Sequence, residues 1–86
     1  MPEATDPRYD PSVLEYIRVA TAFADRIHSG ELRPGDKLPS EHAIAAEFEV
    51  AYSTARRAMK DLRDRGLINT VWGKGTFVAR GDDEGG

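Results

Sequence analysis

The hydrophobic pattern of this chain changes its period once, at Gly66, and this change restricts the fold to helices followed by a hairpin. Before Gly66, apolar residues recur every three or four positions, which is typical of amphipathic helices that bury one face. After it, residues 67–71 and 76–79 are rich in β-branched side chains and favour strands. The glycine-bracketed tip between them, at 72–75, predicts a β-hairpin.

Capping residues and glycines mark the ends of three predicted helices. Ser12 and Glu15 have the spacing of a capping box, and Gly30 suits the left-handed position that follows a helix. Ser40 offers a second N-cap, and Gly66 offers a second stop. The predicted spans are about 12–29 for helix 1, about 41–48 for helix 2, and from 51–54 to about Arg65 for helix 3.

The apolar residues on one face of each helix are predicted to form the core. In the turn-rich connection at 30–39, Lys37-Leu38 is predicted as a very short strand. The predicted core positions are Val13, Tyr16, Ile17, Ala20, Phe23, Ala24 and Ile27 in helix 1, Ala43, Ile44, Ala46 and Phe48 in helix 2, and Ala55, Ala58, Met59 and Leu62 in helix 3.

Length and composition allow one small domain and exclude several classes of site. With 86 residues the chain has room for one core, and with no cysteine it has no disulfide, thiolate metal site or thiol nucleophile. No apolar run approaches the ~18 residues of a membrane helix, and the acidic start is no secretory signal, so a cytoplasmic protein is expected. The predicted division is a flexible N-terminal arm at 1–11, a folded domain at 12–80 and a disordered acidic tail at 81–86.

Charge is distributed unevenly, although the formal net charge is only −3. Residues 1–50 carry five basic and ten acidic side chains, whereas residues 51–80 carry seven basic and two acidic ones. A basic third within an acidic chain indicates nucleic acid or another polyanion as a partner. A solvated helix face explains the same run of charges, and composition alone does not separate these two interpretations.

The order of the predicted elements indicates a fold that is mainly α with a small β-hairpin (α+β), a winged helix-turn-helix of three helices plus a wing. In such a unit the second helix of the pair lies in the DNA major groove, and the wing lies in the minor groove beside it. Glycines at the wing tip allow close approach, and lysine meets the negative potential of the groove. The candidate contacts are Tyr52, Ser53, Thr54, Arg56, Arg57 and Lys60 in helix 3, and Gly73, Lys74 and Gly75 at the tip.

Several segments, taken in their order and spacing, resemble the GntR-type winged helix-turn-helix domain of bacterial transcription regulators. The resemblance covers about residues 13–79. The segments that carry it include LPSE at 38–41, AAEF at 45–48, TARRA at 54–58, GLI at 66–68 and GKGTFV at 73–78.

The resemblance implies a sequence-specific regulator, expected to be a repressor, that binds palindromic double-stranded DNA as a dimer in the cytoplasm, at the nucleoid. It assigns the recognition arginine to Arg56, the hydroxyl groups before it to Ser53 and Thr54, the contact of helix 2 to His42, and the wing-tip contacts to Trp72, Gly73 and Lys74.

Four positions depart from the pattern of the family. Glu49 replaces the usual glycine of the turn, which predicts an altered or strained turn. Ala51 replaces the usual N-cap serine, so Ser53 is a candidate cap that would shorten helix 3. Tyr52 and His42 stand where arginine is common, and the lower positive charge predicts weaker binding or a different operator.

Alternatives remain open for individual residues. Tyr52 suits a phosphate contact or packing on the turn, and Trp72 suits a groove contact or a staple of the hairpin onto helix 3. Arg57 and Lys60 suit phosphate contacts or a solvated surface. The alternative function is a winged-helix protein–protein interaction module that no longer binds DNA. A regulator requires Arg56, Lys60 and Lys74 on one face, with the acidic residues turned away.

No catalytic constellation, metal site or cofactor is predicted, so an enzyme is not expected. No folded segment is expected after Arg80, and therefore no small-molecule effector site. A DNA-binding domain cut from a longer regulator and a complete minimal protein both fit this pattern, and the start at Met1 with the acidic end favours the second. A weak homodimer through helix 1 is possible, although core packing explains its aromatic residues equally well.

Overall fold

The computed structural model describes residues 11–80, apart from the side chain of Ser12. It contains three helices followed by one antiparallel hairpin, which confirms the predicted fold class. The predicted arm at 1–11 lies outside the described residues except for Pro11, the first residue of α1, and the predicted tail at 81–86 lies outside them entirely. The elements are α1 (Pro11–Ser29), α2 (Glu41–Phe48), α3 (Tyr52–Asp64), β1 (Ile68–Val71) and β2 (Gly75–Val78).

The core lies where α1 and α2 pack on the apolar edge of α3. Phe23, Ile44 and Leu62 are among its largest fully buried side chains. The predicted placement of Ile17 in this core is wrong, since Ile17 is 45% exposed whereas Val19 is fully buried. At 3.6 residues per turn, Ile17 points about 120° away from the buried Phe23 around the helix axis.

The core face of α2 also differs from the prediction. Ile44 and Ala45 are buried, whereas Ala43 and Ala46 are exposed. The helix has only eight residues, so its apolar residues are compatible with two different buried faces. Contact with α3 selects the face that Ile44 shares with Phe48.

The helix ends follow the predicted caps in part. Ser40 caps α2, because its hydroxyl accepts the backbone N–H of Ala43 at 3.1 Å. The side chain of Ser12, another predicted cap, lies outside the described part of the structure. The predicted cap at Ser53 is wrong, since α3 begins at Tyr52. The residue at the N-cap of α3 is Ala51, whose side chain makes no capping hydrogen bond.

The turn between α2 and α3 keeps a left-handed residue without a glycine. Glu49 has φ 56° and ψ 48°, and it is the only residue other than glycine with a positive φ among those described. Its backbone N–H points to the carbonyl oxygens of Ala45 and Ala46, which ends α2. The turn is therefore strained rather than altered, because an L-residue pays about 1–2 kcal/mol in this region.

The wing is the hairpin of β1 and β2, closed by Trp72, Gly73 and Lys74. Gly73 has φ 78°, and the Lys74 N–H donates to the Val71 carbonyl at 2.9 Å, which makes the tip a tight turn. The connection before α2 braces the base of the wing. The very short strand predicted at Lys37-Leu38 is there as a single bridge between Lys37 and Phe77.

No helix among the residues that the structure describes has both the length and the apolar character needed to cross a membrane.

We expect Glu49→Gly to raise the free energy of unfolding by about 1 kcal/mol, because glycine adopts the left-handed conformation without the steric cost. The measurement is urea denaturation of the 86-residue chain. Glu49→Ala is the matched control, since it removes the carboxylate and keeps the strain. An equal gain in both variants, or a loss with glycine, would contradict this account.

We expect Ala51→Ser to stabilise the chain by about 1 kcal/mol, because a serine hydroxyl can accept one of the free N–H groups in the first turn of α3. Ala51 already has the extended backbone of an N-cap, with φ −63° and ψ 151°. Thermal unfolding followed by circular dichroism measures the change. Ala51→Val, which has no acceptor, should give no gain.

Candidate nucleic-acid interface

A groove of about 960 Å³ separates the start of α2, one face of α3 and the wing. We call it the wing groove. Both polar and apolar side chains line it, and its lysine and arginine side chains come from α3 and from the connection before α2. Its lining residues are Lys37, Leu38, Pro39, Ser40, Glu41, His42, Tyr52, Arg56, Met59, Arg63, Thr70, Trp72, Gly75 and Thr76.

The outward surface of α3 is a second, smaller hollow beside the wing groove, which we call the basic face. It is lined by Ser53, Arg56, Arg57, Lys60, Arg63 and Asp64. Arg56 and Arg63 line both surfaces, so the wing groove and the basic face adjoin along these two side chains. Basic side chains of α3 and polar groups of the wing are therefore available to a single elongated partner.

Arg56 is the basic residue of α3 that is most available. It is exposed, and within residues 11–80 no ion pair or hydrogen bond joins its guanidinium to another side chain. Lys60, in contrast, lies 2.9 Å from Asp64. The guanidinium of Arg57 stacks 4.3 Å from the ring centroid of Tyr16 on α1, where it retains N–H donors at its edge.

A chain of polar contacts links α3 to the wing. Arg63 donates a hydrogen bond to the Thr70 hydroxyl at 3.1 Å, and that hydroxyl lies 3.2 Å from the Thr76 hydroxyl on the opposite strand. Thr70 and Thr76 are directly paired in the hairpin register. The side chain of Arg63 therefore orients the wing relative to α3.

His42, Tyr52 and Glu41 form a cluster at the upper end of the wing groove. The rings of His42 and Tyr52 stack with centroids 4.2 Å apart and 18° between their planes. The Tyr52 hydroxyl donates to Glu41 Oε1 at 2.9 Å. Both open interpretations of Tyr52 therefore retain a basis, because it packs on its neighbours and still lines the groove with 40% of its surface exposed.

The hydrogen bond to Glu41 raises the pKa of Tyr52 above its usual value, and the nearby positive charge of Arg56 partly opposes this rise. Tyr52 therefore remains a protonated donor at neutral pH. Glu41 is the acidic residue that lines the wing groove, and its carboxylate is engaged by this donor.

Trp72 stands at the outer rim of the wing groove and is 96% exposed. The predicted staple onto helix 3 is therefore wrong, since a stapling side chain would be buried against α3. Gly73 follows it in an open position, where an added Cβ would meet nothing within 4 Å. Lys74 is exposed at the same tip but lines neither the groove nor the basic face.

The remaining candidates divide by burial. Ser53 is exposed on the basic face, whereas Thr54 is only 5% exposed beneath it. Of the three cations that a regulator requires on one face, Arg56 and Lys60 meet that condition and Lys74 stands apart on the wing.

Among the residues of the wing groove that the sequence did not indicate as contacts are Lys37, Arg63 and Thr70. Lys37 is far from α3 in sequence, but its side chain lies over Gly75, where an added Cβ would be 2.8 Å from its Cε. The bridge between Lys37 and Phe77 depends on tertiary structure, so no local signal placed this cation at the wing.

The family described as bacterial regulatory proteins, gntR family, matches residues 15–78. This chain belongs to the gntR family of bacterial regulatory proteins. The match confirms the resemblance found in the sequence, and the family is one of regulatory proteins and not of enzymes.

Among curated relatives, the chain is similar to two repressors. It is 42% identical over 76 residues to the histidine utilization repressor of Klebsiella aerogenes, which covers 88% of this chain and 31% of that protein. It is 35% identical over 66 residues to the arabinose metabolism transcriptional repressor of Geobacillus stearothermophilus, which covers 77% of this chain and 18% of that protein. The chain thus spans less than a third of the length of these relatives.

Among solved structures, the fold is similar to the DNA-binding domain of AraR in complex with operator ORR3. The TM-score is 0.70 at 38% identity, and the match covers 74% of this chain and 77% of that one. A transcriptional regulator from Oenococcus oeni matches with a TM-score of 0.75 at 26% identity, over 80% of this chain and 57% of that one. These findings do not favour the alternative of an interaction module that has lost DNA binding.

We expect the ultraviolet titration of tyrosine to contain one component above the usual pKa of about 10, which disappears in Tyr52→Phe. The folded chain holds this proton more tightly than the unfolded chain. The hydrogen bond therefore contributes stability below pH 10 and loses it as the pH rises through the raised pKa. Glu41→Ala should move the component down, and a Tyr52 component that is unaffected by Glu41→Ala would contradict the assignment.

Proposed function

We propose that this chain is the DNA-binding domain of a transcription repressor, with α3 in the major groove and the wing in the adjacent minor groove. The observation that carries the proposal is that the wing groove and the basic face adjoin and share Arg56 and Arg63. The similarity to a DNA-binding domain in complex with an operator supports DNA as the partner. Bound there, the domain would repress by occluding a promoter.

The dimensions of α3 suit this placement. An α-helix fits the ~12 Å wide major groove, and the recognition helix of such units reads base edges with its N-terminal residues. Arg56 lies in the second turn of α3 with a guanidinium free for a bidentate contact to guanine. Ser53 and Lys60 lie on the same face and suit phosphate oxygens.

The proposed DNA contacts follow the predicted set except for Gly75, which lies against the Lys37 side chain, and Thr54. Thr54 is buried, and its backbone N–H already donates to the Ala51 carbonyl at 3.0 Å, so we assign it a role in packing. Arg57 would reach a phosphate from its stack on Tyr16. The other proposed contacts are His42, Tyr52, Ser53, Arg56, Lys60, Trp72, Gly73 and Lys74.

We extend the proposal to a homodimer on a palindromic operator in the cytoplasm, at the nucleoid, with residues 12–80 as the domain that contacts DNA. Two-fold symmetry in the protein is matched by a palindrome in the operator, with half-sites about one or more helical turns apart. The spacing of half-sites in selected DNA tests the dimer directly, because a monomer selects one half-site only.

The experiment is binding of the 86-residue chain to random duplexes, followed by fluorescence anisotropy at about 50 and 200 mM salt and by sequencing of the retained pool. We expect affinity to fall steeply with salt and the pool to converge on one motif. The absence of binding at low salt would overturn the proposal, and binding without convergence would reduce it to a nonspecific DNA-binding domain.

We expect Arg56→Ala to cost about 1–3 kcal/mol in binding to the selected duplex and to relax specificity at one base pair. Arg65→Ala is the matched control, because it removes the same charge from the end of α3, where Arg65 pairs with Asp61 and lines neither surface. An equal loss on every sequence would make Arg56 a phosphate contact, and no loss would remove it from the interface.

A further inference from the structure

We propose that Trp72 is an aromatic wedge, which enters the minor groove of bound DNA and unstacks one base step beside the site that α3 reads. The inference rests on the proposed function and deepens it, because it assigns the wing a mechanical action on the duplex in addition to a contact. Inserted apolar side chains of this kind partly unstack base steps and bend DNA towards the major groove.

The first observation is the exposure of Trp72. At 96% exposed it contributes no packing to the domain, although tryptophan is the largest apolar side chain available. Val71 beside it is 41% exposed, so the tip of the wing is apolar over two adjacent residues. The exposed ring adds nothing to the stability of the folded domain, whereas a partner that binds a flat ring would be stabilised by burying it.

The second observation is the direction in which Trp72 points. Side chains alternate along a strand, and Thr70 and Trp72 both line the wing groove, whereas Asn69 and Val71 line the opposite surface of the hairpin. Trp72 therefore projects beyond Thr70 on the side of the hairpin that faces α3. A duplex that receives α3 in its major groove would meet this ring next to the recognition helix.

The third observation is that hydrogen bonds hold the base of the hairpin that carries Trp72, whereas Gly73 beside Trp72 has no side chain. Leu38 donates its N–H to the Thr76 carbonyl and Val78 donates its N–H to the Asp36 carbonyl, both at 2.8 Å. Arg63 fastens the other side of the hairpin through Thr70. At the tip, Gly73 carries no side chain, and apart from its two chain neighbours no atom lies within 4 Å of the position that a Cβ would take there.

The charges around the tip favour DNA as the partner of Trp72. Lys74 follows at the tip, and Lys37 and Arg63 line the groove below it. These cations suit the phosphates on both sides of a minor groove. The minor groove of B-form DNA is only about 6 Å wide. The two paired strands of the hairpin are already about 5 Å apart, so an indole enters beside them only if the minor groove widens.

The test uses the fact that Trp72 is the only tryptophan of the chain. Binding is followed independently by the anisotropy of a labelled duplex with the selected motif. Insertion is followed by tryptophan emission and its access to acrylamide, and unstacking by 2-aminopurine placed at successive positions beside the motif. We expect quenched emission, loss of access to acrylamide, and a rise in 2-aminopurine fluorescence at one step.

Variants separate a wedge from a surface contact. We expect Trp72→Ala to abolish the 2-aminopurine signal and to weaken binding about 5- to 100-fold, the range for loss of one base–aromatic stack. Trp72→Phe, which keeps a smaller ring, should retain part of both effects. Val71→Ala is the matched control on the opposite surface of the hairpin and should leave the 2-aminopurine signal unchanged. Circular dichroism of each variant checks that the fold is intact.

The outcomes distinguish this inference from the proposed function. Tight binding without a 2-aminopurine signal, or with a signal that survives in Trp72→Ala, would overturn the wedge and leave the DNA-binding domain in place. Tight binding with tryptophan still accessible to acrylamide would overturn it as well. The absence of any binding by anisotropy would overturn the proposed function together with the wedge.

Discussion

The burial of one narrow edge of α3 is the constraint on which the rest of the structure depends. Ala55, Ala58 and Leu62 are fully buried, and the two alanines allow α1 to approach closely. Because this edge is fixed against α1 and α2, the opposite side of the helix must face solvent. Arg56 and Lys60 are exposed for that reason, and the burial of alanine and the exposure of arginine are two consequences of one packing arrangement.

The position of the wing depends on a second set of contacts, which are polar. Arg63 leaves α3 next to the buried Leu62 and holds Thr70, while the backbone of residues 36–38 pairs with β2. An isolated two-stranded hairpin is marginal in water, so these contacts on both sides account for an ordered wing. The distance between α3 and the wing tip is thus set by the same helix that presents Arg56.

Much of the fold could be predicted because its signals are local. The cap at Ser40 and the change of period at Gly66 act over a few residues, and both correctly mark where elements begin and end. The errors arose where either of two apolar residues could face the core and tertiary packing selected one of them, as with Ile17 and Val19 on α1. The candidate site was predicted as far as it lies on α3 and the wing tip. Lys37 reaches the groove only through the bridge to Phe77, a contact distant in sequence.

The stacked pair of His42 and Tyr52 changes how the proposed interface would achieve affinity. Cations at these two positions would neutralise phosphates, and each such contact makes binding more sensitive to salt. Here the same space holds two stacked rings and a carboxylate that accepts a hydrogen bond from one of them, so this part of the groove presents shape and one acidic group instead of cations. Positive charge is concentrated instead at Arg56, Arg63 and Lys37. Under the proposed function, Arg56, Arg63 and Lys37 would provide the electrostatic attraction to DNA. The aromatic rings of His42, Tyr52 and Trp72 would discriminate between DNA sequences, because their contacts depend on the shape of the duplex more than on charge.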